Sequence, residues 1–239
     1  MKPVVIFGTC RERMAYWEHI DSVLAAQRYL VKNGVSVGMV FDSPTYIREG
    51  RQRIARHFLE TDGTHLCFVD SDNMLHERTV WELLKYDLPL VSALYFQRRG
   101  MPEAVARVWA DPTERTGSRS DSQRIRDWMV SHNVPVSPEP QIIDTWGESL
   151  LEVDVVGFGC VLIKRELIET LYARQDDIFG DHNINVGEDV YFCRLAQDAG
   201  EKIYVDLKNI IGHLTHYDVT LSDFMQVGRW ELEGEDNGV

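Results

Sequence analysis

The stretch His65-Leu66-Cys67-Phe68-Val69-Asp70-Ser71-Asp72 decides how this chain is read. Leu66 to Val69 is apolar without a break, so the strand it predicts has no polar face and belongs in the middle of a sheet covered on both sides. The run then ends on two carboxylates with one residue between them. Toward the N-terminus the pattern recurs: Val4-Val5-Ile6-Phe7, halted by Gly8, predicts one strand, and Val35 to Phe41 a second that ends at Asp42-Ser43-Pro44. Between them Tyr16 to Lys32 has helical spacing, with Ile20, Val23, Leu24, Leu30 and Val31 as its apolar stripe and Asn33-Gly34 as its stop. A helix from about Arg48 to Glu60 follows, burying Ile54, Ala55, Phe58 and Leu59. Strand, helix, strand, helix, strand implies right-handed crossovers and a mainly parallel sheet. Ligands of such sheets bind beyond the carboxyl ends of the strands. Gly8-Thr9-Cys10-Arg11, Asp42-Ser43-Pro44 and Asp70-Ser71-Asp72 all fall there.

Downstream, Thr79 to Lys85 reads as a short helix and Leu90 to Phe96 as a strand. Residues 98–148 lose periodicity and are expected to form an irregular insertion. Regular structure resumes at Leu150 to Val156. Gly157-Phe158-Gly159 comes next, then a strand at Cys160 to Ile163, helices at Arg165 to Leu171 and Gly187 to Ala199, and a strand at Lys202 to Val205. An acidic tail beyond Gly234 is expected to fray.

Composition narrows the function. With 239 residues and 44% apolar side chains the chain can pack a single α/β domain. Its 38 acidic and 25 basic side chains give a net charge of −13, which opposes sequence-independent gripping of nucleic acid. Basic residues gather at Arg48/Arg51/Arg53/Arg56 and at Arg115/Arg119/Arg124/Arg126; their plain reading is as solvated helix faces. Cys10, Cys67, Cys160 and Cys193 are scattered, three of them in apolar settings, which suggests buried thiols in a reducing compartment rather than a disulfide framework. The first residues lack the long apolar core of a signal peptide, and no run approaches the ~20 apolar residues of a membrane span. A cytoplasmic location is expected.

Two Asp side chains at i and i+2, leaving a buried strand, can turn toward one point. Hard oxygen ligands suit Mg2+ or Mn2+, which take one or two carboxylates and complete their shell with phosphate oxygens and water. Such an ion neutralises the charge that grows on a leaving pyrophosphate. Arg48 and Arg51 open the second helix beside the Asp42 loop, where a helix N-terminus and guanidinium groups both favour phosphate, and Tyr46 could stack on a nucleobase. The plain alternative for the Asp pair is a turn or a helix cap.

Placed on a strand after two βα units, Leu66-Cys67-Phe68-Val69-Asp70-Ser71-Asp72 resembles the Asp-x-Asp element of the GT-A glycosyltransferases. Gly187-Glu188-Asp189-Val190-Tyr191-Phe192-Cys193-Arg194-Leu195 resembles the Gly-Glu-Asp segment that opens a helix in inverting members such as the β-1,4-galactosyltransferases, and Gly157-Phe158-Gly159-Cys160 resembles their acceptor-side loop. Gly212-His213 is similar to the place where many members supply a third metal ligand, and Thr9-Cys10-Arg11-Glu12-Arg13 to the loop that contacts the nucleotide diphosphate. The resemblance runs from the first strand to His216 and is weakest across residues 98–148.

It implies a GT-A, Rossmann-like three-layer α/β/α sandwich in one domain. A nucleotide-sugar half would span 1–97, a variable insertion 98–148, an acceptor and catalytic half 149–217 and a tail 218–239. Asp70, Asp72 and His213 would hold Mn2+ or Mg2+, with His216 the rival for the histidine ligand. Thr9, Arg11, Asp42, Tyr46, Arg48, Arg51, Asp70 and Ser71 would meet a UDP- or GDP-linked sugar, and Gly157, Phe158 and Gly159 the acceptor. Asp189 would be the general base of an inverting transfer, kept ionised by the helix dipole, and Glu188 would bind acceptor or sugar. In a retaining enzyme Asp189 would contact the sugar instead.

The acceptor stays open between a glycan, a small molecule and a modified base in DNA, which phage-encoded transferases of this kind glycosylate. Trp109, Trp128 and Trp146 in the insertion could stack on sugars or bases. Two other readings compete. A haloacid-dehalogenase-like phosphatase also uses Asp-x-Asp, but after its first strand. A non-catalytic sugar-nucleotide-binding module would keep the fold alone.

Overall fold

The computed structural model describes residues 2–10, 16–43, 46–97, 103–113, 116–137, 139–144, 148–180, 186–214 and 225. Along the chain these form β1 (Val4–Cys10), α1 (Trp17–Lys32), β2 (Ser36–Asp42), α2 (Ile47–Leu59), β3 (His65–Val69), β4 (Asn73–Met74), α3 (Thr79–Leu84) and β5 (Leu90–Leu94). Next come β6 (Ala106–Asp111), β7 (Thr116–Ser120), α4 (Ser122–Ser131), β8 (Gln141–Ile142), β9 (Leu150–Val153) and β10 (Val155–Val156). The last are β11 (Cys160–Lys164), α5 (Arg165–Tyr172), α6 (Glu188–Asp198), β12 (Ile203–Ile210) and β13 (Gly212–His213).

The fold is mixed α/β around one large sheet, in the order β2-β1-β3-β11-β5-β12-β8, with β9 also on β12. β3 sits inside it, as its unbroken apolar run requires. Its pleat sends Leu66 and Phe68 to a core with Ile54 and Phe58 of α2, Ile168 of α5 and Phe192 of α6. Cys67 and Val69 go to the other core, with Val23, Ala26 and Leu30 of α1 and Val80 and Leu83 of α3.

β2, β1, β3, β5 and β12 run in one direction. β11 departs from the parallel expectation: it lies antiparallel between β3 and β5, pairing Cys160 with Val69 and Lys164 with His65. The chain enters β11 from the carboxyl edge, so Phe158 and Gly159 arrive beside Asp70. β8 and β9 are also antiparallel, along the outer side of β12.

Helix α1 stops at Asn33-Gly34 as expected. Asn33 Nδ2 donates to the Tyr29 carbonyl (2.8 Å), and Gly34 takes φ +81°, a left-handed conformation that glycine adopts without a Cβ clash. Its buried face differs from the expected stripe. Ile20, Leu24 and Val31 are exposed, and His19, Ser22, Val23, Ala26 and Leu30 are buried. The i, i+3/4, i+7, i+11 series that faces the sheet passes through two polar residues, which hid its phase.

The insertion is more regular than its sequence suggests. β6 and β7 pair antiparallel and join β10 in a separate sheet, while the apolar residues that α4 buries are Ile125 and Met129, beside Ser122. An i, i+4 pair in a ten-residue helix is too narrow a stripe to read as periodic. Among the described residues no helix is long and apolar enough to cross a membrane. Cys67, Cys160 and Cys193 are buried free thiols.

Candidate functional site

The site forms where β1, β3 and the entry to β11 end together. Past Val69 the chain makes a turn, with Asn73 N–H donating to the Asp70 carbonyl (3.0 Å) and Asp70 N–H to the Gly159 carbonyl (3.2 Å). β13 closes on the turn from the far side, pairing His213 with Asn73 and Gly212 with Met74, while Asn73 Nδ2 donates to the Gly212 carbonyl (3.0 Å). A short segment near the C-terminus thereby brings His213 to the Asp-x-Asp turn, a meeting of residues 140 positions apart that only the β4–β13 ladder creates.

The two aspartates part company there. Asp70 is held by Arg51, whose NH2 group donates to both of its oxygens (2.9 and 3.2 Å). Arg51 is 2% exposed, and its Nε lies 3.2 Å from Glu188 Oε1, an ion pair without hydrogen-bond alignment. The guanidinium also lies over the rings of Phe158 (4.9 Å) and Phe68 (5.4 Å), whose π faces favour a cation. Burial opposes the charge on Arg51, but Asp70 and Glu188 outweigh it and keep the group protonated. Enclosure pushes the Asp70 carboxyl up to about 6, against the pull of Arg51 and with Asp72 and Glu188 adding to the rise.

Asp72 faces the other way. Its Oδ2 lies 3.6 Å from His213 Nε2, and His213 Nδ1 is 2.8 Å from the Phe96 carbonyl. A carbonyl only accepts, so Nδ1 carries a proton and Nε2 is the ring atom turned toward the Asp72 carboxylate. An imidazole oriented from behind by a carbonyl, with its other nitrogen beside a carboxylate, is an arrangement also found around bound cations. The expected trio is nevertheless incomplete. Among the described residues no three His, Cys, Asp or Glu side chains gather as a metal-holding group, and Asp70, expected as a ligand, is turned to Arg51. Asp72 and His213 remain, a donor set that fits a hard cation finishing its shell with phosphate and water.

Glu188 and Asp189 open α6 behind Gly187. Asp189 Oδ1 accepts from its neighbour's Val190 N–H (2.7 Å) and folds back against Gly187, where a Cβ would stand 2.6 Å from that oxygen. The helix N-terminus, expected to favour the ionised form, is opposed here: burial, then the adjacent Glu188, push the Asp189 pKa up.

Other expected contacts have different roles. Phe158 is buried under Arg51, so its side chain is core rather than acceptor surface. Gly157 and Gly159 serve close approach: a Cβ on either would strike the Tyr95 side chain, and the Tyr95 hydroxyl accepts from Gly159 N–H (3.0 Å). Asp42 is paired with Arg53. Tyr46 is exposed beside α2, Arg48 is half-buried in its first turn, and Ser71 is half-buried in the Asp-x-Asp turn. Thr9 is buried at the end of β1.

Trp109 is buried, with Nε1 donating to Gln197 (3.0 Å), and His132 covers one face of Trp128, so neither offers the open stacking surface expected of it. Arg11, Glu12, Arg13, Pro44, Arg115, Trp146, His216 and the tail apart from Met225 lie outside the described residues.

Sequence reasoning missed His19 and Tyr95. Once the buried face of α1 is phased on Val23, Ala26 and Leu30, His19 stands out as a titratable group on that face. Tyr95 carries no comparable signal.

No family model and no curated protein matches the chain. Among solved structures it is similar to A197 from STIV, with 17% sequence identity and a TM-score of 0.47, over 89% of this chain and 86% of that one.

Proposed function

We propose that the chain is a glycosyltransferase of the GT-A, three-layer α/β/α type. It would use a divalent cation to transfer a sugar from a nucleoside-diphosphate sugar to a hydroxyl acceptor. The observation that carries the reading is the opposed pair of Asp72 and His213, with Oδ2 and Nε2 3.6 Å apart. Mn2+ or Mg2+ held between them would supply neutralisation of the charge on the leaving diphosphate. Mn2+ suits a site that includes an imidazole. Arg51 holds Asp70 and Glu188 in place beside this point and cancels part of their charge, which would otherwise repel the donor's phosphates.

Asp189 is the proposed base. A carboxyl whose pKa is raised is, in its ionised form, a better proton acceptor than an ordinary aspartate. The acceptor oxygen attacks the anomeric carbon, its proton passes to Asp189, and the bond from that carbon to the diphosphate oxygen breaks with its electron pair leaving on the diphosphate. The phosphatase alternative needs Asp70 as a free nucleophile, and the two hydrogen bonds from Arg51 engage both of its oxygens.

The test is incubation of the full chain with a panel of UDP-, GDP-, CDP- and ADP-sugars, with Mn2+, Mg2+ or chelator and no acceptor. Slow, cation-dependent release of one nucleoside diphosphate is expected. Release that ignores chelation, or none from any donor together with no cation-dependent nucleotide binding, sinks the reading.

A further inference from the structure

Helix α1 carries two apolar stripes. Val23, Ala26 and Leu30 face the sheet and are buried. Trp17, Ile20, Leu24 and Val31 are 71%, 48%, 45% and 57% exposed. A helix on the surface of a globular domain needs only the first stripe, with polar residues on its outer face. The exposed residues are also ordered. With Gln27 they alternate three and four positions apart, which sets them in one straight seam along the helix. A contiguous exposed apolar seam of this kind marks an interaction surface.

The charges beside the seam select its partner. Asp21 and Arg28 lie along one flank, both exposed, and Glu18 and Lys32 lie further round the same flank. That flank is acidic over the first half of the helix and basic over the second. Asp21 and Arg28 are separated by about 10 Å along the axis, too far to pair within one helix. An identical helix laid antiparallel across the seam meets each half with its opposite. Asp21 of one copy then comes beside Arg28 of the other, twice about one two-fold axis. A parallel copy would set acidic half against acidic half. Helices that lie on anionic lipid carry Lys and Arg along the whole polar face, and here Glu18 and Asp21 would be repelled.

We propose that a second copy of this chain covers the exposed stripe of α1, the two helices packing antiparallel about a two-fold axis near Leu24. Trp17, Leu24 and Val31 of each copy interleave with those of the other, and Asp21 pairs with Arg28 across the flank. Antiparallel helices turn the two sheets end for end, which sends the two Asp-x-Asp turns to opposite ends of the pair. The pairing goes beyond the transferase reading and does not need it. One helix from each copy makes a small interface, below about 1,200 Å² in total, for which micromolar dissociation is expected.

The experiment is sedimentation velocity of the full chain from about 1 to 200 μM, where a reversible monomer–dimer equilibrium is expected. Leu24→Asp, at an exposed position, should raise the dissociation constant at least about tenfold and leave the circular dichroism spectrum and melting curve unchanged. Asp21→Arg and Arg28→Asp should each weaken self-association, because each sets like charges across the axis. Mixed in equal amounts, the two variants should recover the parent dissociation constant to within about threefold, since every flank contact in the mixed pair joins opposite charges. A chain that stays monomeric throughout the range overturns the proposal, as does a dimer indifferent to Leu24→Asp. Charge variants that fail to rescue one another overturn the antiparallel arrangement. A monomer that binds anionic vesicles, and loses them with Leu24→Asp, would assign the stripe to a lipid surface instead.

Discussion

Asp70 and Asp72 are two residues apart in one turn and occupy opposite kinds of surroundings. On the α2 flank, Asp70 is gripped by a buried arginine that also faces Glu188 and rests on two phenylalanine rings. On the β13 flank, Asp72 Oδ2 lies 3.6 Å from His213 Nε2. The difference teaches that an i, i+2 carboxylate pair leaving a strand does not automatically converge on one ion. Once the chain turns, one carboxylate can become part of an internal ion-pair network while the other faces a histidine from a distant strand.

The sharpest way to break that contrast is Arg51→Met, which removes the cation and keeps much of the volume. Taking one partner from a buried ion pair strands the other, at about 3–5 kcal/mol. Here two carboxylates, Asp70 and Glu188, would be stranded together. The urea midpoint should fall accordingly; a loss below about 1 kcal/mol, the ceiling for exposed pairs, would mean that the α2 flank is not structural.

Asp72→Asn is expected to do the opposite. Stability should change less than in Arg51→Met, since the Asp72 side chain is partly exposed and water can solvate what it leaves. Cation-dependent turnover of the preferred donor should fall about 10²–10³-fold, the range for losing one preorganised group that stabilises transition-state charge. If Asp72→Asn unfolds the chain while Asp70→Asn leaves stability intact and abolishes turnover, the two flanks have been assigned the wrong way round.

How much of this was legible follows from the same contrast. The β3 run, its central place and the Asp-x-Asp turn at its end are local: apolar continuity and a polar stop are written in consecutive residues. The β1 and β2 strands and the glycine stop of α1 are equally local. The antiparallel course of β11 is not, because a five-residue apolar strand reads alike in either direction. The partner of Asp70 was hidden for a related reason. Arg51 sits in an arginine-rich helix in which Arg53 and Arg56 are exposed and Arg48 is half-buried, and the crossing of α2 over Phe68 and Phe158 makes this one buried. In the insertion, α4 buries too little, and β6 and β7 carry too much Ser, Arg and Asp, for periodicity to show.

A buried carboxylate that lacks a guanidinium offers a smaller test. Asp206 on β12 is 1% exposed; it accepts from Lys208 N–H (3.2 Å) and also bonds the Ser149 and Tyr86 hydroxyls. Burial outweighs those bonds and raises its pKa. A raised folded-state pKa means that its contribution to stability is fully present below the unfolded value near 4 and is lost as pH rises through the folded value. Asp206→Asn can keep an acceptor for Lys208 N–H and cannot ionise. The variant should therefore gain on the parent chain as pH rises from about 4 through the folded-state value in paired denaturation curves. A gap that is flat with pH, or widens toward acid, would show that the hydrogen bonds to Asp206 outweigh its burial.

The smallest effect is expected two residues along α2 from Arg51. Arg53 also binds an aspartate, Asp42, through Nε and through an NH2 contact of 3.1 Å, and that pairing holds the Asp42 carboxyl below its usual range. Drawn as contacts, the two arginines look equivalent. Arg53, however, has 52% of its side chain exposed, so water and salt already solvate both charges and would take over when the partner is lost. Arg53→Met should then cost no more than about 0.5 kcal/mol, and the cost should shrink further as salt rises from about 0.05 to 0.5 M. Arg51→Met, whose cost comes from stranding charge inside the protein, should be nearly insensitive to the same salt. Salt response therefore separates the two arginines even where their static geometry does not, and an equal response from both would remove the physical basis for treating the α2 flank as internal charge balance.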